Sequence, residues 1–177
     1  MKPTVLEGNA IVITDSKGEA IDDIDTDMIF HNKHLHITDI DEMGQYAFGN
    51  LEGWKLFSKN ARSGEILVVG KNFGAGSSRQ QAVDCFRALG IQMIIGESFG
   101  AIYKRNAINS GMPLMTAPEI MNENIKSSDK IRVNLETGEI MNITNNQTLK
   151  TAFPLSKVQL DIYQAGNLFE YGRTLDK

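Results

Sequence analysis

The chain predicts an α/β domain in which helices flank a small parallel sheet that also carries antiparallel strands. Three observations support this. Residues 65–70, 91–95 and 112–116 are short apolar runs separated by helix-length segments. A strand–helix–strand–helix–strand order of this kind implies parallel pairing through right-handed crossovers. Residues 130–135 and 140–144 alternate apolar and polar around Glu136-Thr137-Gly138-Glu139, which predicts a hairpin with one wet face. Residues 156–164 then repeat apolar groups at helical spacing, with Ser156 placed to cap the start and Gly166 to end the helix.

The elements follow in order. Residues 5–14 read as strand, with a break expected at Gly8-Asn9. Asp15-Ser16-Lys17-Gly18-Glu19 is a polar turn. Residues 22–27 hold four aspartates. A calcium loop would also need a central glycine and a terminal glutamate, which this run lacks. The chain's three histidines fall in His31-Asn32-Lys33-His34-Leu35-His36-Ile37. In an extended chain His34 and His36 would share a side, and Asp39 or Asp41 could add oxygen ligands, yet the paired spacing of zinc sites is missing. Residues 41–54 suit a short helix and loop, with Trp54 packing beneath the loop. Residues 56–62 form an amphipathic connector to the central strand. Residues 101–110 read as a second helix, where Arg105 faces either the site or solvent. Residues 166–171 read as a tail packing back on the body.

Composition narrows the class. A length of 177 residues fits one domain spanning 1–177, and 41% hydrophobic with 23% charged residues is ordinary for a soluble chain. A net charge of −4 leaves no basic footprint for nucleic acid. No apolar run reaches the ~18 residues that would span a bilayer, and Met1-Lys2-Pro3-Thr4 lacks a signal peptide's apolar core. The single cysteine, Cys85, can form no internal disulfide and no thiolate set for a cluster. Its neighbours Val83, Phe86 and Leu89 make it a packing residue, and a reducing cytoplasm is the expected compartment.

The chemistry is expected at Asn72-Phe73-Gly74-Ala75-Gly76-Ser77-Ser78-Arg79, between the strand at 65–70 and a helix over 80–89. Gly74 and Gly76 permit a sharp bend and a close ligand approach. Ser77 and Ser78 are candidate N-caps, and a helix N-terminus behind them would seat an anion. Arg79 adds a planar fork for a carboxylate or phosphate. A phosphate-binding P-loop would end in Gly-Lys-Ser/Thr, and a dinucleotide fingerprint would place glycine at position 79; neither is present.

This octapeptide resembles the Asn-Phe-Gly-Cys-Gly-Ser-Ser-Arg signature of 3-isopropylmalate dehydratase small subunits. Homoaconitase small subunits share that signature, and the mobile C-terminal domain of aconitase carries an altered form. Asp25-Thr26-Asp27, and Ser98-Phe99 through Asn106-Ala107-Ile108-Asn109, extend the likeness across about residues 5–170. The resemblance implies a swivelling three-layer β/β/α domain. It implies a hydro-lyase subunit, active only with a large subunit that carries a [4Fe–4S] cluster, as a heterodimer or heterotetramer. The substrate would be a small hydroxy di- or tricarboxylate. By the same resemblance Ser77 is the catalytic base, while Ser78, Arg79 and Asp27 bind substrate. His34, Leu35, His36 and Ile37 occupy the loop that distinguishes substrates, and Asn72, Gly74 and Gly76 shape the turn. No metal ligand is implied in this chain. Isopropylmalate is the first substrate the likeness suggests, with homoaconitase and dimethylmalate dehydratase subunits, or a non-catalytic carboxylate-binding domain, as alternatives. Two positions depart from the pattern. Ala75 stands for the cysteine between the glycines, and Gln80-Gln81 for Glu-His.

Overall fold

The computed structural model describes residues 1–176; Lys177, the last position of the expected domain, lies outside the described residues. Strand β1 (Val5–Val12) opens the chain. Three short helical turns follow, α1 (Thr26–Ile29), α2 (Ile40–Met43) and α3 (Phe57–Asn60). The repeating part is β2 (Ile66–Val69), α4 (Gln81–Ala88), β3 (Met93–Gly96), α5 (Ala101–Asn109) and β4 (Leu114–Thr116). Then come β5 (Lys130–Asn134), β6 (Ile140–Asn142), β7 (Gln147–Thr148), α6 (Lys157–Ala165) and α7 (Leu168–Leu175).

The seven strands run in the order β4-β3-β2-β1-β5-β6-β7. The β4-β3-β2-β1 half is parallel and the β1-β5-β6-β7 half antiparallel, as the two sequence patterns predict. Strand β1 joins the halves. Its residues 5–9 pair with β5 and its residues 10–12 with β2. The expected break at Gly8-Asn9 is therefore a change of partner within one continuous strand. Gly8 sits at that change because a side chain there would collide with the Gly64 carbonyl and come within 2.6 Å of Gln92 Nε2.

The buried strands read as unbroken apolar runs because both of their faces are covered. Leu67, Val69, Ile94 and Leu114 point into a core shared with Val83, Phe86 and Tyr103 of the helices. Ile66, Val68, Met93, Ile95 and Met115 point into a second core with Ile131, Val133 and Ile140 of the antiparallel half. Helices, parallel strands and antiparallel strands thus form three layers in the β/β/α order.

Two terminal details refine the sequence reading. Ser156 and Gln159 form a reciprocal capping box on α6, and Gly166 ends it at φ 105°. The expected tail is instead a helix, α7, started by the Asn167 side chain, which accepts the Glu170 N–H at 2.9 Å. Trp54 packs as expected, with its indole N–H donating to the Thr14 carbonyl at 2.8 Å.

Candidate active site

The signature loop leaves the carboxyl end of β2, where open parallel sheets bind ligands. It is held from two sides. Gly74 N–H donates to Ile24 O at 2.8 Å, and Thr26 N–H donates to Ala75 O at 2.9 Å. On the other flank Phe73 N–H donates to Ser98 O at 3.1 Å, and Gly100 N–H donates to Phe73 O at 2.9 Å. The acidic run completes the clamp. Asp22 accepts the Lys71 N–H at 2.9 Å, and Asp23 accepts the Asn72 side-chain amide at 2.8 Å. Asn72 and Gly74 both lie in the left-handed region, at φ 53° and 78°. At Gly74 a side chain would also strike Tyr103, since a Cβ there falls within 2.6 Å of that residue's Cβ and Cδ2.

Ser77 and Ser78 do not cap the helix. Helix α4 starts at Gln81, and no side chain caps it. Backbone bonds from Ala82 and Val83 to Arg79 O and Gln80 O already turn the chain, so the serines lie in the loop ahead with their hydroxyls exposed. Ser77 Oγ is 3.4 Å from Thr26 Oγ1, and Ser78 Oγ accepts from Asn106 Nδ2 at 3.4 Å. Among the described residues, no protein group accepts the backbone N–H of Gly76, Ser77, Ser78, Arg79 or Gln80. Successive unclaimed N–H groups before a helix, beside two hydroxyls, are donors of the kind that cradle a carboxylate.

Arg79 is mostly buried, with 11% of its side chain exposed. Its Nη1 donates to Phe30 O at 2.7 Å, Thr26 O at 3.3 Å and Asp27 Oδ1 at 3.1 Å. One arm of the guanidinium therefore fixes the Asp25-Thr26-Asp27 turn and the start of the histidine loop. Asp27 also accepts the Asn32 N–H at 2.8 Å and the Asn50 amide at 3.2 Å. Partial burial works against its charge, but the Asn32 N–H and Arg79 outweigh it and hold the carboxyl below its ordinary range. Asp27 thus stays ionised as a partner for Arg79.

The histidine loop is not extended, so the alternation expected of it fails. A turn of 3-10 helix runs over Asn32–His34 and sets the His31 and His34 rings edge to face, 6.4 Å apart. His34 stacks on Tyr46 with ring centroids 3.9 Å apart, while His36 is exposed and bonds its own loop at Lys33 O. Burial first, then the charges of Lys33, His31 and His36, holds His34 below the ordinary histidine value. Ile37 is 7% exposed and belongs to the helix-side core, so in this conformation it offers nothing to a ligand. Of His34, Leu35, His36 and Ile37, only Leu35 and His36 are exposed. Asp39 is occupied in capping α2 through the Asp41 N–H.

Two residues that shape this region, Tyr46 and Tyr103, were not singled out from sequence as site residues. Tyr46 stacks on His34, and Tyr103 supports Gly74. Gln80 donates to Ser110 Oγ at 2.7 Å and to Asp84 at 3.2 Å, and Gln81 donates to Leu35 O at 3.4 Å. The two glutamines that depart from the signature are thus hydrogen-bond ties. Cys85 is fully buried under α4, where burial and then the Asp84 charge push its thiol far up, so it is no nucleophile. Arg105 is exposed. Among the described residues, no group of three or more His, Cys, Asp and Glu side chains could hold a metal ion.

Comparison with known proteins agrees with this architecture. Residues 55–120, which include the signature loop, match the family model described as the aconitase C-terminal domain. The 3-isopropylmalate dehydratase small subunit of Sulfolobus acidocaldarius is 43% identical over 150 residues, covering 85% of this chain and 90% of that one. That of Metallosphaera sedula is 41% identical over 85% of this chain and 89% of its own length. A crystal structure of 3-isopropylmalate dehydratase from Methanocaldococcus jannaschii superposes with a TM-score of 0.84 at 31% identity, covering 97% of this chain and 95% of that one. The chain belongs to the 3-isopropylmalate dehydratase small-subunit family of hydro-lyases.

Proposed function

We propose that this chain supplies the proton-transfer and carboxylate-binding half of a 3-isopropylmalate dehydratase. The reaction interconverts 2-isopropylmalate and 3-isopropylmalate by dehydration and rehydration, a step of leucine biosynthesis in the cytoplasm. The observation that carries this reading is the run of unclaimed N–H groups from Gly76 to Gln80 beside the exposed hydroxyls of Ser77 and Ser78.

Elimination requires removal of a weakly acidic C–H proton beside a carboxylate and departure of hydroxide from the neighbouring carbon. Ser77, as alkoxide, takes the proton; the C–H electron pair becomes the carbon–carbon double bond as hydroxide leaves. Rehydration with the opposite regiochemistry returns the proton from Ser77. A serine hydroxyl becomes such a base only in a water-poor pocket lined by fixed positive dipoles. The N–H cradle and the free part of Arg79 provide the dipoles. Exclusion of water must come from a second chain, because Ser77 is exposed here. That chain would be a large subunit, in a heterodimer or heterotetramer, and a [4Fe–4S] cluster held there would supply Lewis acidity. This chain does not fit such a group, since its one thiol is buried. Ser78 and the cradle bind one carboxylate, Arg79 and Asp27 order the polar wall, and Leu35 and His36 face the distal part of the substrate.

The test is anaerobic assembly with the cognate large subunit and an ultraviolet assay of enoate formation over a panel of hydroxy diacids. Isopropylmalate should turn over. Turnover of homocitrate or dimethylmalate alone would move the chain to those dehydratases, and carboxylate binding without turnover in any pairing would leave a binding domain. Ser77→Ala should lower kcat by roughly 1,000-fold or more with assembly intact. Retained activity would remove Ser77 as the base.

A further inference from the structure

Helix α5 runs along the signature segment and touches it through one stripe. Tyr103, Asn106 and Ser110, spaced three and four residues apart, lie on one helix face. Tyr103 packs under Gly74 and donates its hydroxyl to Ala82 O at 3.0 Å. Asn106 Nδ2 donates to Ser78 Oγ at 3.4 Å. Ser110 Oγ accepts from Gln80 Nε2 at 2.7 Å and donates to the Asn106 carbonyl at 2.8 Å. The stripe therefore supports the base of the loop, one of its serines and the start of α4 in turn.

We propose that Asn106 is a positioning residue that turns the Ser78 hydroxyl toward a substrate carboxylate. The inference rests on the function proposed above. A serine hydroxyl has one hydrogen to give and two lone pairs. An amide that donates to the oxygen fills an acceptor site and leaves the hydrogen for another partner. Asn106 is suited to this because its Nδ2 can only donate. Aspartate, of the same shape, would take the Ser78 hydrogen for itself and set a negative charge beside the incoming carboxylate.

This gives a test that a merely structural role would answer differently. In the assembled complex, Asn106→Ala should raise KM about tenfold with kcat within about twofold, the signature of lost uniform binding. Asn106→Asp should raise KM further than alanine does. If Asn106 only filled space, the isosteric aspartate would be the milder change. In a Ser78→Ala background, Asn106→Ala should add less than about twofold, because the two residues act through one bond. An unchanged KM, an aspartate milder than alanine, or additive effects of the two substitutions would each overturn the proposal. If the alanine variant fails to assemble, Asn106→Asp should still raise KM more than about tenfold over wild type, and a smaller rise overturns the proposal. Ser77 separates this from failure of the parent reading. A complex that needs Ser77 but ignores Asn106 rejects only the positioning role, whereas one that turns over without Ser77 rejects the proposed site.

Discussion

Two loops meet at Arg79, and they are built in opposite ways. The base of the signature loop, residues 73–75, is fastened by main chain to main chain, through Gly74 to Ile24, Thr26 to Ala75, Phe73 to Ser98 and Gly100 to Phe73. The histidine loop, residues 31–37, is tied to the body by side chains. Asp27 holds the Asn32 N–H, Arg79 the Phe30 carbonyl and Gln81 the Leu35 carbonyl, while Tyr46 stacks on His34. Backbone ties survive most substitutions, whereas side-chain ties change with one codon. The base of the loop proposed to move a proton is therefore fixed by the fold, and the loop proposed to read the substrate is set by residues elsewhere in the chain.

The strongest way to break the contrast is Gly74→Ala. The position combines φ 78° with a Tyr103 contact that leaves no room for a methyl group. Left-handed backbone for a residue with a Cβ costs about 1–2 kcal/mol, and overpacking against a buried ring about 1–3 more. At about 2–4 °C per kcal/mol for a chain of this size, thermal unfolding should drop by roughly 4–20 °C. Activity should be lost in whatever complex still forms. An active variant with unchanged Tm would show that the loop is not rigidly set.

Arg79→Lys comes next, and it joins the two halves of the comparison. An ammonium cannot reproduce the planar fork, so the Phe30 and Thr26 carbonyls lose a donor they now share. Leaving such groups unsatisfied costs about 1–3 kcal/mol. Hydrogen exchange should rise across residues 26–37 while residues 72–75 stay protected. Equal loosening of both loops would mean that Arg79 holds the signature loop as well.

The same contrast explains what the sequence made legible. Gly74 and Gly76 announced the turn because only glycine takes those backbone angles easily. The parallel strands showed themselves as apolar runs buried on both faces. What stayed hidden depends on partners far along the chain. Asn106 and Ser110 are ordinary helix residues until α5 is laid beside Ser78 and Gln80. The acidic run showed only that it lacks the glycine and glutamate of a calcium loop, yet Asp22, Asp23 and Asp27 are hydrogen-bond clamps. In an extended chain Ile37 would share a side with Leu35, but a turn closed by the Ile37 N–H on the His34 carbonyl at 3.0 Å sends it into the core. The serines were misread as caps because Arg79 and Gln80 begin the turn without them. Helix α7 was missed because Gly172 interrupts its apolar pattern, although Asn167, which caps it, was in view.

The smallest expected effect sharpens the comparison through pH. His34 is held below its ordinary value of 6.5, chiefly by burial against Tyr46 and then by Lys33, His31 and His36. The unfolded chain therefore binds its proton more readily than the folded one. The contribution is fully present above pH 6.5 and is lost as pH falls through the lower folded value. Because the ring is only partly buried, the change in Tm between pH 8 and 5.5, relative to His34→Phe, should be small. It should also be local. Hydrogen exchange, corrected for its intrinsic pH dependence, should rise in residues 31–37 on acidification and stay level in residues 72–75. Loosening of both loops together, or an identical Tm shift in His34→Phe, would mean that the side-chain-tied loop is not governed separately from the backbone-tied one.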